Sequence, residues 1–439
     1  MAIPFIIKKF LARTGLARYT TIARRSTGNA AEFVRYYSDR TLAAPIEALC
    51  DPAAFSQADT PDMMNLNLST PRFDSPISAT RMIVDRSSAN PAWGLLALRE
   101  AIAQRARADD HRTLDPRTEL FITHGATSAY TSALDAFVNP GDGVVLFDPS
   151  SPLFSIGAQT RRAKLLWVPT WNEEGRTRFL VPALARAMRQ AMMIVLADPT
   201  HPSGSSFAPD ELEQIAWLAK RHDVLVFLDR SLSRFRYSGK AVPLAQFQGF
   251  ENRLLVADSV SQSHGLSSLR VGWLSGPKPL IQACAYSANI SAPFVPVPCQ
   301  QLALQALNSS GELFQPMLKE FAERRRYTLD RLRGMGLEPT ATHAGFTTFV
   351  PVSHLGLTGR AFAERLLQEH QVLVGPGDLF GPTSTGSVRV SFAIEDGRLR
   401  EGLSRIATMI DTIKGTPRVQ ATAIPRPVLA ETEPAFSRT

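Results

Sequence analysis

An α/β fold, with a large and mostly parallel sheet sandwiched by helices and a smaller α+β C-terminal domain, is predicted by three features of the sequence. Apolar runs of strand length alternate with helical patterns from about residue 90 to 275. Those runs are apolar at nearly every position, as strands covered on both faces require. After about residue 311 the pattern changes to long charged helices around two separated strands, which marks a second unit.

The elements follow in order. Apolar residues at helical spacing predict a helix over 97–108, a short strand over 120–123 and a second helix over 126–138. The turn Asn139-Pro140-Gly141-Asp142-Gly143 bounds a buried strand over 144–147. Strands over 165–168 and 192–197 flank a helix over 180–190. A helix over 210–222 precedes a strand over 224–228, and strands over 254–257 and 270–274 complete the run. In the second unit a charged helix covers 312–333, strands over 347–350 and 388–392 flank a helix over 359–370, and a last helix covers 396–413. Four prolines after residue 415 predict a disordered tail.

Composition excludes several classes. Of 439 residues 44% are hydrophobic and 20% charged, so the bulk of the chain is globular. No apolar run approaches the ~18–20 residues of a membrane span. The net charge is +8, but Lys8, Lys9, Arg13, Arg18, Arg24 and Arg25 precede the first acid, Glu32. The body is therefore nearly neutral and lacks the footprint of a nucleic-acid binder. The basic segment reads either as an organellar transit peptide or as an arm that packs on the body. Cys50, Cys284 and Cys299 have no metal-ligand spacing and suit a reducing, cytoplasmic compartment.

In an open parallel sheet, ligands sit at the carboxyl ends of strands. Thr123-His124-Gly125-Ala126-Thr127 opens a helix with small residues and exposed amides, a ready anion site. Asp198-Pro199-Thr200-His201-Pro202-Ser203-Gly204 is an extended turn, and Asp229 ends an apolar strand. Ser259, Ser261 and Arg270 supply hydroxyls and a guanidinium that suit a phosphate dianion.

These segments, in this order, resemble the class I/II aminotransferases, fold-type I pyridoxal-phosphate enzymes, over roughly residues 65–414. Gly94 to Arg99 resembles the family's G-x-x-x-L-R. Asn139 to Asp142 with Asp148-Pro149 resembles pGD…P-x-Y, and Asp198 to Gly204 resembles N-P-x-N-P-T-G. Ser259 to Gly272 resembles S-x-S-K-x-x-G-L-x-G-x-R-x-G, and Val388 to Ala393 the strand that carries a carboxylate-binding arginine. The resemblance implies an aminotransferase-like large domain over 65–311 and a small domain over 312–414, after a basic arm and helix over 1–64 and before the tail over 415–439. It implies cofactor contacts from Ala126, Thr127, Ser259, Ser261 and Arg270 at the phosphate and from Asp229 at the pyridine nitrogen, with Arg389 on the substrate carboxylate. It also implies a homodimer acting on a small amino or keto acid.

The departures fall at the reacting centre. The Schiff-base lysine position is occupied by Gln262, whose amide is neither nucleophilic nor basic. The family asparagine falls on His201, the tyrosine of D-x-x-Y on Leu232, and the stacking aromatic on Ser151. Two expectations follow from the resemblance. One is an enzyme holding pyridoxal or pyridoxamine 5'-phosphate noncovalently, with His201 or His264 moving the proton. The other is a catalytically inactive homologue with a structural, partner-subunit or ligand-sensing role.

Overall fold

The computed structural model describes residues 62–68, 71, 91–239, 241–309 and 314–415; the expected basic arm over 1–31 and the tail beyond 415 lie outside them. The chain enters through β1 (Met64–Asn65) and continues with α1 (Leu96–Asp110), β2 (Leu120–Thr123), α2 (Gly125–Phe137), β3 (Gly143–Asp148), α3 (Pro152–Thr160), β4 (Lys164–Glu173), β5 (Arg176–Phe179) and α4 (Val181–Met188). Then come β6 (Ala191–Ala197), α5 (Pro209–His222), β7 (Leu225–Asp229), β8 (Leu254–Ser259), the single turn α6 (Val260–Ser263) and β9 (Gly272–Ser275). Helices α7 (Lys278–Ser291) and α8 (Val297–Asn308) lead to α9 (Phe314–Gly334). The C-terminal unit holds β10 (Thr347–Pro351), α10 (Gly359–His370), β11 (Val372–Leu373), β12 (Gly375–Pro376), β13 (Ser387–Ser391) and α11 (Asp396–Gly415).

The central sheet has the order β2-β9-β8-β7-β6-β3-β4-β5. Strands β8, β7, β6, β3 and β4 run parallel, β9 is antiparallel to both its neighbours, and β5 is antiparallel to β4. Side chains alternate faces along each strand. Val145, Ile194, Val226 and Val256 meet α4 and α5 on one face, while Val144, Met193, Phe227 and Leu255 meet α2 and α7 on the other. This two-sided burial is why the strands lack a polar alternation. Each fully buried side chain of this size contributes about 1.5–3 kcal/mol.

Local signals explain the helix limits. Helix α5 starts on Pro209, and Glu211 reaches back to accept the Ala208 N–H at 2.7 Å. Lys220, Arg221 and His222 occupy its last turn, against the negative end of the dipole. The strand expected from Arg270 begins only at Gly272. Arg270 is in the left-handed region (φ 53°) after a short 3₁₀ turn, and its side chain crosses to the start of α2. Helices α3, α7 and α8 and strand β5 were not expected. Helix α3 is apolar almost throughout, so it has no polar face to mark its period.

The smaller sheet has the order β10-β13-β12, all antiparallel, with β1 paired in parallel to β11. Met64 and Leu66 thereby join the core of this C-terminal unit, with Phe346, Val390 and Leu403, although they stand at the boundary between the 1–64 and 65–311 segments.

Candidate active site

Three parallel strands end side by side. Ala197 closes β6 opposite Asp229, which closes β7 and lies opposite Ala257 of β8. The loops that leave these ends enclose a cavity of about 240 Å³. Asp229 and Leu232 line it from the loop after β7, Gln262 from α6, and Thr127 from the first turn of α2. Arg270 and His201 complete its polar wall, and Ser151 and Phe346 stand at its edge. Among the described residues no lysine lines it; Lys164, Lys220, Lys278, Lys319 and Lys414 all lie elsewhere.

One end of the cavity is built for an anion. Helix α2 starts without a side-chain cap, so its first N–H groups are unpaired and carry the positive end of the dipole. Gly125 has φ +79°, and a Cβ there would lie 2.6 Å from Arg270 Nη2. Glycine thus admits the guanidinium against the helix start, where Nη2 donates to His124 O at 3.4 Å and Nη1 to Ser267 O at 3.2 Å. A Cβ on Gly272 would meet the Gly125 carbonyl carbon at 2.6 Å, so this crossing also requires glycine. Ser259 Oγ donates to Gln262 Oε1 at 3.2 Å and accepts the Ser261 N–H at 3.4 Å. The Ser261 hydroxyl is buried with no partner among the described residues, which costs about 1–3 kcal/mol until a ligand or water supplies one.

The other groups are set by burial. Burial raises the Asp229 carboxyl above its ordinary range, against the lowering effect of the Ser231 N–H, which donates to it at 2.8 Å. Arg389 Nη1 donates to His201 Nε2 at 3.1 Å. Arginine only donates, so Nε2 is the acceptor and the imidazole proton sits on Nδ1. That Nδ1–H is buried without a partner among the described residues, on a side chain that lines the cavity. Burial and then Arg389 hold the imidazole down at about 3. His201 is therefore a neutral hydrogen-bond donor at ordinary pH, not the acid or base expected from its place in the turn.

His264 is not brought to the cavity. Its Nε2 accepts from Arg234 Nη1 at 2.8 Å, and its Nδ1 meets Ser263 Oγ at 2.7 Å. Burial, Arg234 and Arg105 hold it at about 3, so it too is neutral. Arg389 stands one hydrogen bond behind the wall. Its Nη2 donates to Asn67 O at 2.8 Å and to the Asn67 side chain, and its guanidinium lies 5.2 Å from the Phe380 ring centre. Burial lowers it to about 10. Its Nε is buried with no hydrogen-bond partner among the described residues.

The family model of aminotransferase class I and II matches residues 61–406. The chain belongs to this family. An aspartate aminotransferase of Pyrococcus abyssi is 28% identical over 362 residues, 80% of this chain and 92% of that protein. An arginine–pyruvate transaminase of Pseudomonas aeruginosa is 28% identical over 355 residues, 79% and 89% of the two chains. The aromatic aminotransferase of Pyrococcus horikoshii superposes with a TM-score of 0.75 at 26% identity, covering 82% of this chain and 99% of that one. The N-succinyldiaminopimelate aminotransferase of Mycobacterium tuberculosis shares the fold with a TM-score of 0.77 at 22% identity, over 85% and 100% of the two chains.

Aminotransferases of this family use pyridoxal phosphate, and the cavity fits that group at two ends. The α2 amides of Ala126 and Thr127, with Arg270, Ser259 and the unsatisfied Ser261 hydroxyl, match its phosphate. The buried Asp229 matches its ring nitrogen. The aminotransferase motifs thus bring Thr127, Asp229, Gln262, Arg270 and His201 to one cavity. Phe346 was not foreseen, because it comes from a loop of the C-terminal unit with no motif of its own. Neither was the buried network in which Asp198 accepts from Arg230 at 3.0 Å and Arg236 at 2.8 Å, although adjacent charges at strand ends hint at one. Among the described residues there is no cluster of His, Cys, Asp and Glu placed to hold a metal, and no helix long and apolar enough to cross a membrane.

Proposed function

We propose that this aminotransferase-family chain holds pyridoxal or pyridoxamine 5'-phosphate noncovalently and acts on a small amino or keto acid without a lysine link. The observation that carries this is the shared wall: Arg270, Thr127, Asp229 and Gln262 line one cavity, which supports reading the first three as the two anchoring ends and Gln262 as the lysine position. When bound, the cofactor supplies an electron sink. Arg270 and the α2 amides neutralise the dianion, Asp229 meets the ring N–H, and the His201 Nδ1–H donates toward an acceptor on the ring or substrate. With Gln262 unable to take a proton and the accepting Nε2 of each histidine occupied by an arginine, proton movement falls to the substrate's own amine or to water, so turnover is slow.

A homodimer accords with the exposed apolar residues of α7 and the loop after it. Tyr286 and Ile290 are 73% and 69% exposed, and Phe294 is 47% exposed. A cytoplasmic location accords with Cys284 and Cys299, which are free thiols among the described residues. A catalytically inactive homologue is the second reading, favoured by the same two neutral histidines. Absorbance and calorimetric titration with each cofactor form, followed by single-turnover assays with keto acids, separates them. Saturable binding with slow conversion is expected. Binding without conversion selects the inactive homologue, and no binding contradicts both cofactor roles.

A further inference from the structure

A second cavity of about 690 Å³ lies behind the first. The loop after β7 divides them: Asp229, Ser231 and Leu232 face the first, while Arg230, Ser233, Arg234 and Arg236 face the second. Its floor is formed by Val256 and Asp258 of β8 with Trp273 and Ser275 of β9, every second residue of the two strands. One face of α1 closes it through Ile102, Arg105 and Asp109.

Five arginines reach this space, and carboxylates answer only two of them. Arg230 pairs with Asp110 and Asp198, and Arg236 with Asp198. Arg112 donates only to Ser275 Oγ, at 3.2 Å, and Arg234 to His264 Nε2. Arg105 has no hydrogen-bond or ion-pair partner among the described residues. Burial lowers Arg112 to about 10, and burial with repulsion from Arg105 lowers Arg234 to about 10. Asp258 accepts the Ser259 N–H at 2.7 Å, and burial pushes its carboxyl up to about 7, so it neutralises these cations only in part. Asp109 and Asp110 also line the space, but among the described residues no carboxylate pairs with Arg105, Arg112 or Arg234 at ion-pair distance, and an oxyanion between these half-buried cations gains charge-assisted hydrogen bonds.

We propose that the second cavity binds a small molecule bearing a compact dianionic group, a phosphate ester or paired carboxylates, between Arg105, Arg112 and Arg234. Ile102, Trp273 and Leu307 offer apolar contact for the rest of such a molecule. The site is separate from the phosphate end of the first cavity and does not depend on the cofactor being bound.

Calorimetric titration of the full chain with inorganic phosphate and with succinate tests this. Arg270→Ala weakens phosphate binding at the first cavity ten-fold or more and leaves the second as the tighter site. One saturable site per chain is then expected for at least one probe, weakened ten-fold or more by Arg105→Gln and by added salt. Phosphate alone selects the phosphate-ester class, and succinate alone the dicarboxylate class. Arg105 has no hydrogen bond or ion pair to lose among the described residues, so Arg105→Gln should keep the unaltered Tm. Where phosphate is a ligand of the second cavity, the chain with Arg270 intact should bind it at two sites, one of them weakened by Arg105→Gln. No saturable binding of either probe beyond the Arg270-dependent site, or affinity unchanged in Arg105→Gln, overturns the proposal.

Discussion

Arg389 and His201 form a hydrogen bond across the two units of the chain, from Nη1 of a strand in the C-terminal sheet to Nε2 of a loop in the large sheet, at 3.1 Å. It fixes the proton on Nδ1 and turns what the turn sequence presents as a proton shuttle into a donor.

The first prediction is the pH dependence this imposes. His201 and His264 are held at about 3 against an ordinary 6.5. Between those values the unfolded chain binds more protons than the folded one, so stability rises with pH across the window and is complete above about 6.5. Each histidine contributes a slope of up to about 1.4 kcal/mol per pH unit. Denaturant unfolding at pH 7 and 5 should show the loss at pH 5, and His201→Asn should shrink it. A slope unchanged in His201→Asn would place the proton uptake elsewhere.

Gly272→Ala should be costly. Its new Cβ would sit 2.6 Å from the Gly125 carbonyl carbon, which is backbone and cannot rotate away. Overpacking of this kind costs about 1–3 kcal/mol. Thermal unfolding should show it, and pyridoxamine 5'-phosphate binding should weaken with it, since α2 is pushed from Arg270.

Asp198→Ala leaves Arg230 and Arg236 short of a carboxylate that is fully buried. Breaking a buried pair by removing one partner costs about 3–5 kcal/mol. Asp198→Asn keeps the shape and part of the bonding and should cost less. Equal stability of both variants with the unaltered chain would mean that the network is compensated by water.

Arg270→Ala should weaken pyridoxamine 5'-phosphate by about 1.5–3 kcal/mol, the size of a hydrogen bond to a charged group, or roughly ten- to a hundred-fold. Unaltered affinity by calorimetry would mean that the α2 amides alone carry the dianion.

Much of this was readable beforehand, for physical reasons. Strands β3, β6 and β7 are apolar at almost every position because both faces are covered, and that pattern needs no partner to be seen. Asp229 and Gln262 were placed at the cavity because strand ends and the short turns that follow them fix position locally. What was not legible depended on distant partners. His201 looks like a base until Arg389, 188 residues away, is seen to bind it. Arg389, expected to meet substrate, is also held by Asn67, 322 residues away, a contact that no motif signals. The second cavity left no motif at all, since its arginines come from α1, the segment after it and the loop after β7, which share only the sheet edge beneath them.

The most direct test of the central claim is borohydride reduction of the protein loaded with pyridoxal 5'-phosphate, followed by peptide mass mapping. Cofactor should bind in the cavity, and no lysine should carry a stoichiometric pyridoxyl adduct. Gln262→Lys, treated identically, should acquire the adduct at position 262, because both anchoring ends remain. A stoichiometric adduct on any lysine of the unaltered chain, abolished by competition with pyridoxamine 5'-phosphate, would contradict noncovalent cofactor binding.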